Sequence, residues 1–127
     1  MPFVMWSVLL AALLPLVWAG VAKAGAPYDN RKPRETAAGA TGFRQRAGWA
    51  QQNAWEALPT YLAGVTVAWL MKVPVAEMNA VAAVFVAARI IHGLLYVADQ
   101  ASLRSLAWLI GLLSVLYLFL RAGGVLG

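Results

Sequence analysis

Residues 3–22 read FVMWSVLLAALLPLVWAGVA, twenty residues without a charge. At about 1.5 Å of rise per residue, a helix of that length crosses a hydrocarbon core of roughly 30 Å. Working outward, three further apolar stretches follow, at 47–71, 75–98 and 103–120. The breaks between them carry turn chemistry: Lys72-Val73-Pro74 separates the second from the third, and Asp99-Gln100-Ala101-Ser102 the third from the fourth. Ser102 is placed to cap the last helix. The connection 23–46 holds Gly25, Pro27, Pro33, Gly39 and Gly42, and is expected to be a loop rather than one continuous helix. The expected fold class is all-α integral membrane: four antiparallel transmembrane helices in a single domain over 1–127.

Composition supports lipid as the solvent. Of the 127 residues, 62% are from AVILMFWYC and 12% are charged, against roughly half and a quarter in soluble domains. The absence of cysteine excludes a disulfide framework, a thiolate metal site and a cysteine nucleophile, and a single histidine excludes a histidine-cluster metal site. The net charge of +5 raises the question of nucleic acid, and the positions of the basic residues answer it. Lys23, Arg31, Lys32, Arg34, Arg44 and Arg46 fall in one 24-residue stretch, while Lys72, Arg89, Arg104 and Arg121 are scattered through apolar sequence. That is the pattern of a membrane loop, and no nucleic-acid partner is expected. Lys and Arg in short loops set orientation, so the basic loop is expected on the cytoplasmic side of an inner membrane, with both termini on the opposite side. A rival reading takes Ala22-Lys23-Ala24 as a cleavage site and the first span as a signal peptide. Against it, no basic residue precedes the run, and twenty residues exceed the usual h-region.

Polar residues inside spans are costly, at least about 2.5 kcal/mol for a charge at mid-bilayer, so each is a site hypothesis. The second stretch carries Gln51, Gln52, Asn53 and Glu56, the third Arg89, His92 and Tyr96, and the fourth opens on Arg104 and Ser105. Asn53 and Glu56 are three apart; Arg89, His92 and Tyr96 are spaced by three and four, so each set shares one helix face. All lie toward the cytoplasmic ends of their spans. If those faces meet, they line an inner-leaflet cavity of cationic and amide groups with one carboxylate, suited to an anionic ligand that carries an ammonium. Simpler readings stand beside this one. Arg104 can snorkel at a span end, Glu56 can neutralise Arg89 as a structural ion pair, and His92, Asn53 and Gln52 can be interhelical hydrogen-bonding groups. Trp6, Trp18, Trp49 and Trp69 read as interfacial anchors. The basic loop is a topology signal that can also hold anionic headgroups.

The polar stretches resemble a known family. Asn53-Ala54-Trp55-Glu56-Ala57-Leu58-Pro59 is similar to the Asn-x-x-Glu-x-x-Pro signature in the second span of the MAPEG family, the membrane-associated proteins in eicosanoid and glutathione metabolism. Arg89 to Tyr96 resembles its Arg-x-x-His-x-x-x-Tyr, and Arg104-Ser105 its fourth-span Arg-Ser step. The resemblance implies a homotrimer with glutathione bound between subunits on the cytoplasmic side, and a transferase or peroxidase acting on a lipophilic small molecule that arrives from the membrane lipids. By the same resemblance Glu56 receives the glutamyl ammonium, and Asn53, Arg89, His92 and Tyr96 line the tripeptide site. Arg104 faces the sulfur, with Ser105 a second group for it. The chain departs from the pattern where relatives carry arginine around the Asn: Gln52 and Trp49 stand there, and Arg46, the nearest basic residue, is the expected glutathione-binding arginine on this span. Trp108 stands where a tyrosine often follows the fourth-span arginine. A different class of function, a non-catalytic membrane scaffold or lipid- or partner-binding protein of the same fold, is the alternative. A small multidrug transporter would need a carboxylate in the first span, and 3–22 has none.

Overall fold

A computed structural model describes all residues, 1–127. It contains five helices and no strand: α1 (Phe3–Lys23), α2 (Pro33–Ala38), α3 (Gly42–Leu70), α4 (Val75–Val97) and α5 (Ala101–Ala122). Three of them, α1, α4 and α5, are long and apolar enough to cross a membrane. The fourth long helix, α3, has 29 residues and carries more polar side chains than any other helix, including Arg44, Arg46, Asn53 and Glu56.

The α3–α4 and α4–α5 connections are tight, which makes those neighbouring helices run antiparallel. α3 ends in a Schellman closure, with Val73 N–H donating to the Ala68 carbonyl at 3.0 Å and Lys72 N–H to that of Trp69 at 3.1 Å. α4 ends the same way, Gln100 donating to Leu95 at 2.9 Å and Asp99 to Tyr96 at 3.2 Å. Both closures put a residue other than glycine at positive φ, Lys72 at 58° and Asp99 at 60°. An L side chain pays about 1 kcal/mol or more there. Lys72→Gly or Asp99→Gly is therefore expected to raise stability by about 1 kcal/mol, read as a higher thermal midpoint of the detergent-solubilised protein.

Two helix starts and one tryptophan differ from the sequence expectation. Within 23–46 the chain forms the short helix α2, and α3 starts at Gly42, so Arg44 and Arg46 ride on its first turns. The α4 closure delivers Gln100 as the start of α5, its carbonyl accepting from Arg104 N–H at 2.9 Å. Ser102 is consequently inside the helix and does not cap it. Trp18 is no interfacial anchor either: it is 5% exposed and packs with Ala50 and Ala54.

α3 and α4 form the centre of the bundle, with α1 packed on both from one side and α5 on both from the other. Only 26 of 127 residues are buried, and long apolar side chains such as Leu16, Val17, Leu106 and Leu113 stand exposed on the outer faces. Such a surface suits lipid and not water. The main core gathers Val4, Tyr61, Val65, Met78, Phe85 and Leu118 in the half of the bundle nearest the α3–α4 turn. There Tyr61 stacks on Phe85 at 3.7 Å between ring centroids and shares a 2.6 Å hydrogen bond with the Ser7 hydroxyl. Asn79 Oδ1 accepts from the Val4 N–H at 2.8 Å, tying the start of α1 to α4. At that end Glu77 accepts from Arg121 Nε at 2.8 Å and from the Tyr117 hydroxyl at 2.7 Å, clamping α4 to α5. The apolar core thus fills the half of the bundle away from the basic loop, and Asn53, Glu56, Arg89, His92 and Tyr96 lie toward the other half.

Candidate functional site

Three helix faces meet in that half. On α3, Arg46, Trp49, Asn53, Glu56 and Thr60 recur at spacings of three and four; on α4, Phe85, Arg89, His92 and Tyr96 do so, and on α5 Arg104, Trp108 and Gly111. The antiparallel crossing pairs them in rungs. From the loop end inward, Arg46 Nε donates to the Val97 carbonyl at 3.0 Å, the Trp49 ring lies 6.3 Å from Tyr96, and Arg89 Nη2 donates to Asn53 Oδ1 at 2.7 Å.

A groove of about 270 Å³ opens between α3, α4 and α5, lined by Asn53, Glu56, Thr60, Arg89, Trp108 and Gly111 among others. Arg89 is 4% exposed, so its charge is held almost out of solvent. A guanidinium keeps its charge under nearly all conditions, and here a neutral amide, not a carboxylate, meets it. Its stem passes Gly111: Arg89 Cδ would lie 3.4 Å from a Cβ at that position, so the glycine leaves the side chain room to cross the bundle. Glu56, expected as a possible ion-pair partner of Arg89, forms no ion pair; the two in the chain are Lys32–Glu35 and Arg121–Glu77. The groove therefore presents one cation and one anion that do not neutralise each other by contact, with amide and hydroxyl groups beside them.

The remaining sequence-derived residues form a second cluster centred on Tyr96. Arg104 places its guanidinium carbon 4.3 Å from the centroid of the Tyr96 ring, and His92 packs edge-on against the same ring at 5.5 Å. His92 is 2% exposed and its Nδ1 has no hydrogen-bond partner. A buried polar atom left unpaired costs about 1–3 kcal/mol. Arg46 is committed to a backbone carbonyl, so it closes the end of α4 instead of reaching into the groove. Ser105 is exposed and makes no hydrogen bond. The structure thus brings Asn53, Glu56 and Arg89 to one groove, gathers His92, Tyr96 and Arg104 one helical turn nearer the loop, and brings Arg46 and Ser105 into neither. Thr60 and Gly111 were not expected; Thr60 extends the Asn53–Glu56 face by one more turn, which was the signal available for it.

Apolar helices packed with lipid-suited outer faces around a polar, charged groove define a helical membrane protein. The chain matches the model of the MAPEG family over residues 3–124 of its 127, and it belongs to that family. No curated protein and no solved structure matches it.

Proposed function

We propose that this protein is an inner-membrane enzyme that uses glutathione to conjugate lipophilic electrophiles or to reduce lipid hydroperoxides. The observation that carries the reading is the buried Arg89, held by Asn53, beside an unpaired Glu56 in one groove. Glutathione has two carboxylates and one ammonium, and this donor set fits them: guanidinium and amide for a carboxylate, Glu56 for the ammonium. Family membership supports the same chemistry.

In this reading α3 is the fourth span. Its 29 residues extend about 43 Å at 1.5 Å each, enough to cross the hydrocarbon and carry the Arg44 and Arg46 turns beyond it. The basic loop and the site then lie on the cytoplasmic side. Gln52 and Glu56 are exposed on α3, and in a monomer they would face lipid at a cost of several kcal/mol. A neighbouring copy of the chain covers them in the homotrimer that we propose. The thiol of glutathione, held near Arg104, loses its proton to water; the thiolate forms the new C–S bond as the leaving group departs with its electron pair.

A second reading has one observation in its favour. Arg46 gives its Nε to the Val97 carbonyl and Trp49 stands against Tyr96, so at the loop-side mouth only the Nη groups of Arg46 remain for glutathione's other carboxylate. On that ground the chain would be a scaffold that binds a lipid or a partner and catalyses nothing. Titration calorimetry with glutathione, together with conjugation of a chlorodinitrobenzene, separates the two. The enzyme reading expects binding by the wild type and about thirtyfold weaker binding for Arg89→Met, the loss that follows removal of a buried hydrogen-bonded charge. A correctly assembled protein that neither binds glutathione nor conjugates the electrophile overturns it.

A further inference from the structure

A second hollow, of about 250 Å³, lies outside this groove, between the end of α1, the loop and the start of α3. Lys23 and Arg44 line it together with Tyr28 and Gln51, and Ala19 and Ala22 form part of its wall on the α1 side. Neither cation meets a carboxylate. The Lys23 ammonium sits over the Tyr28 ring, 4.6 Å from its centroid. Arg44 spends its Nε on the Ala24 carbonyl at 2.7 Å, which leaves both Nη groups without a hydrogen bond. The one ion pair of the loop, Lys32 with Glu35 at 3.5 Å, involves neither of them and is exposed. Two uncompensated cations in a concave setting concentrate positive potential where α1, a helix of membrane-crossing length, ends. That is the level of lipid headgroups.

We propose that this hollow binds the phosphate of an anionic phospholipid, with Lys23 and Arg44 on the phosphodiester. A lipid fits better than a soluble phosphate because the Ala19–Ala22 wall continues one turn along α1 to Leu16, more than half exposed, where an acyl chain can lie. The small side chains of the wall leave room for the glycerol body. The site is independent of the glutathione reading and requires only that α1 cross the bilayer.

The test uses the full chain in phosphatidylcholine nanodiscs and micelles, titrated with short-chain phosphatidylglycerol and followed by thermal midpoint and by native mass spectrometry of retained lipid. Phosphatidylglycerol is expected to bind and raise the midpoint where added phosphatidylcholine does not. Lys23→Gln should weaken that binding about fivefold, and Lys23→Gln with Arg44→Gln about 25-fold, from roughly one surface-charge contribution each. Arg34→Gln, in the same loop but outside the hollow, should leave it unchanged. Lys23 is exposed and its ammonium rests on the Tyr28 ring without an ion pair, so its variant is expected to fold and keeps the result decisive even if loss of Arg44 disturbs the loop. Equal responses to the two lipids, an unchanged Lys23→Gln, or an Arg34→Gln as weak as Lys23→Gln each overturn the proposal. The same shift from inorganic phosphate alone also overturns it, in favour of a soluble phosphoryl compound.

Discussion

Gly93→Ala lowers the thermal midpoint of the solubilised protein sharply, and Gly93→Leu prevents a folded bundle from being isolated. Gly93 lies on the α4 face against which α1 rests, and a Cβ there would overlap the Trp18 indole at Cζ2 and Cε2. Ala50 and Ala54 back the indole and Leu14, Val21 and Val97 pack around it, while its other side borders an apolar groove of about 560 Å³ between α1 and α4. Overpacking of this kind costs about 1–3 kcal/mol when the surroundings can partly adjust. Here the adjustment must either turn the indole out of its packing on Ala50 and Ala54 or displace α1 from α4, so the upper end is expected for alanine and more for leucine. Tyr96 packs against the same cluster, so the damage reaches the side chain on which Arg104 rests. The specific check is a double-mutant cycle. Trp18→Leu removes the obstructing ring, and if the contact is the cause, Gly93→Ala costs far less in the Trp18→Leu background than alone. An unchanged cost in that background, or a Gly93→Leu protein with a wild-type midpoint, refutes the account.

The same contact marks where the sequence stopped being readable. The existence of long helices was legible because hydrophobic length is a property of the chain itself, and α1, α4 and α5 fall on 3–22, 75–98 and 103–120 with small shifts at their ends. Which side of a helix faces inward is harder to read in lipid. A helix apolar all round gives no periodic contrast between core and solvent faces, so Trp18, near the end of an apolar run, resembled an anchor when it is a packing residue. Polar residues restore the contrast. Asn53, Glu56, Arg89, His92 and Tyr96 could be assigned to faces by spacing, and those faces do meet. Spacing carried no information about which partner each would choose. Arg89 takes Asn53 and leaves Glu56 unpaired, and Arg46 is drawn to a carbonyl freed by the end of α4. The start of α3 was missed because Gly42 to Arg46 is polar and leaves no hydropathy signal, although the backbone there is already helical.

If the proposed conjugation takes place, Arg104→Leu is expected to cost about ten- to thirtyfold in its rate at pH 7 while leaving the helical content and assembly intact. A free thiol titrates near 8.5, so only a few per cent is nucleophilic thiolate at neutral pH. A fixed cation within a few ångströms lowers such a pKa by about 1–3 units. Arg104 can hold that position because its guanidinium rests on the Tyr96 ring at 4.3 Å, pinned across the α4–α5 interface and not trailing into the headgroups. That contact contributes about 0.5–1 kcal/mol at a partly exposed site, little enough that its loss leaves the bundle folded. The sign follows from which form reacts. In the proposed reaction the bound thiol is ionised above a depressed pKa with Arg104 present, and without it ionisation waits until the pH approaches roughly 8.5. The deficit is therefore greatest in mild acid and closes above roughly pH 9, and the ultraviolet absorbance of the bound thiolate should shift along the pH axis in parallel with the rate. Arg104→Lys, which keeps the charge but not the planar stack, should recover part of the rate. Ser105→Ala should cost much less, because that hydroxyl is exposed and bonded to nothing. A rate lost equally at every pH would assign Arg104 to binding alone, and a profile unchanged in both height and shape would remove it from the chemistry altogether.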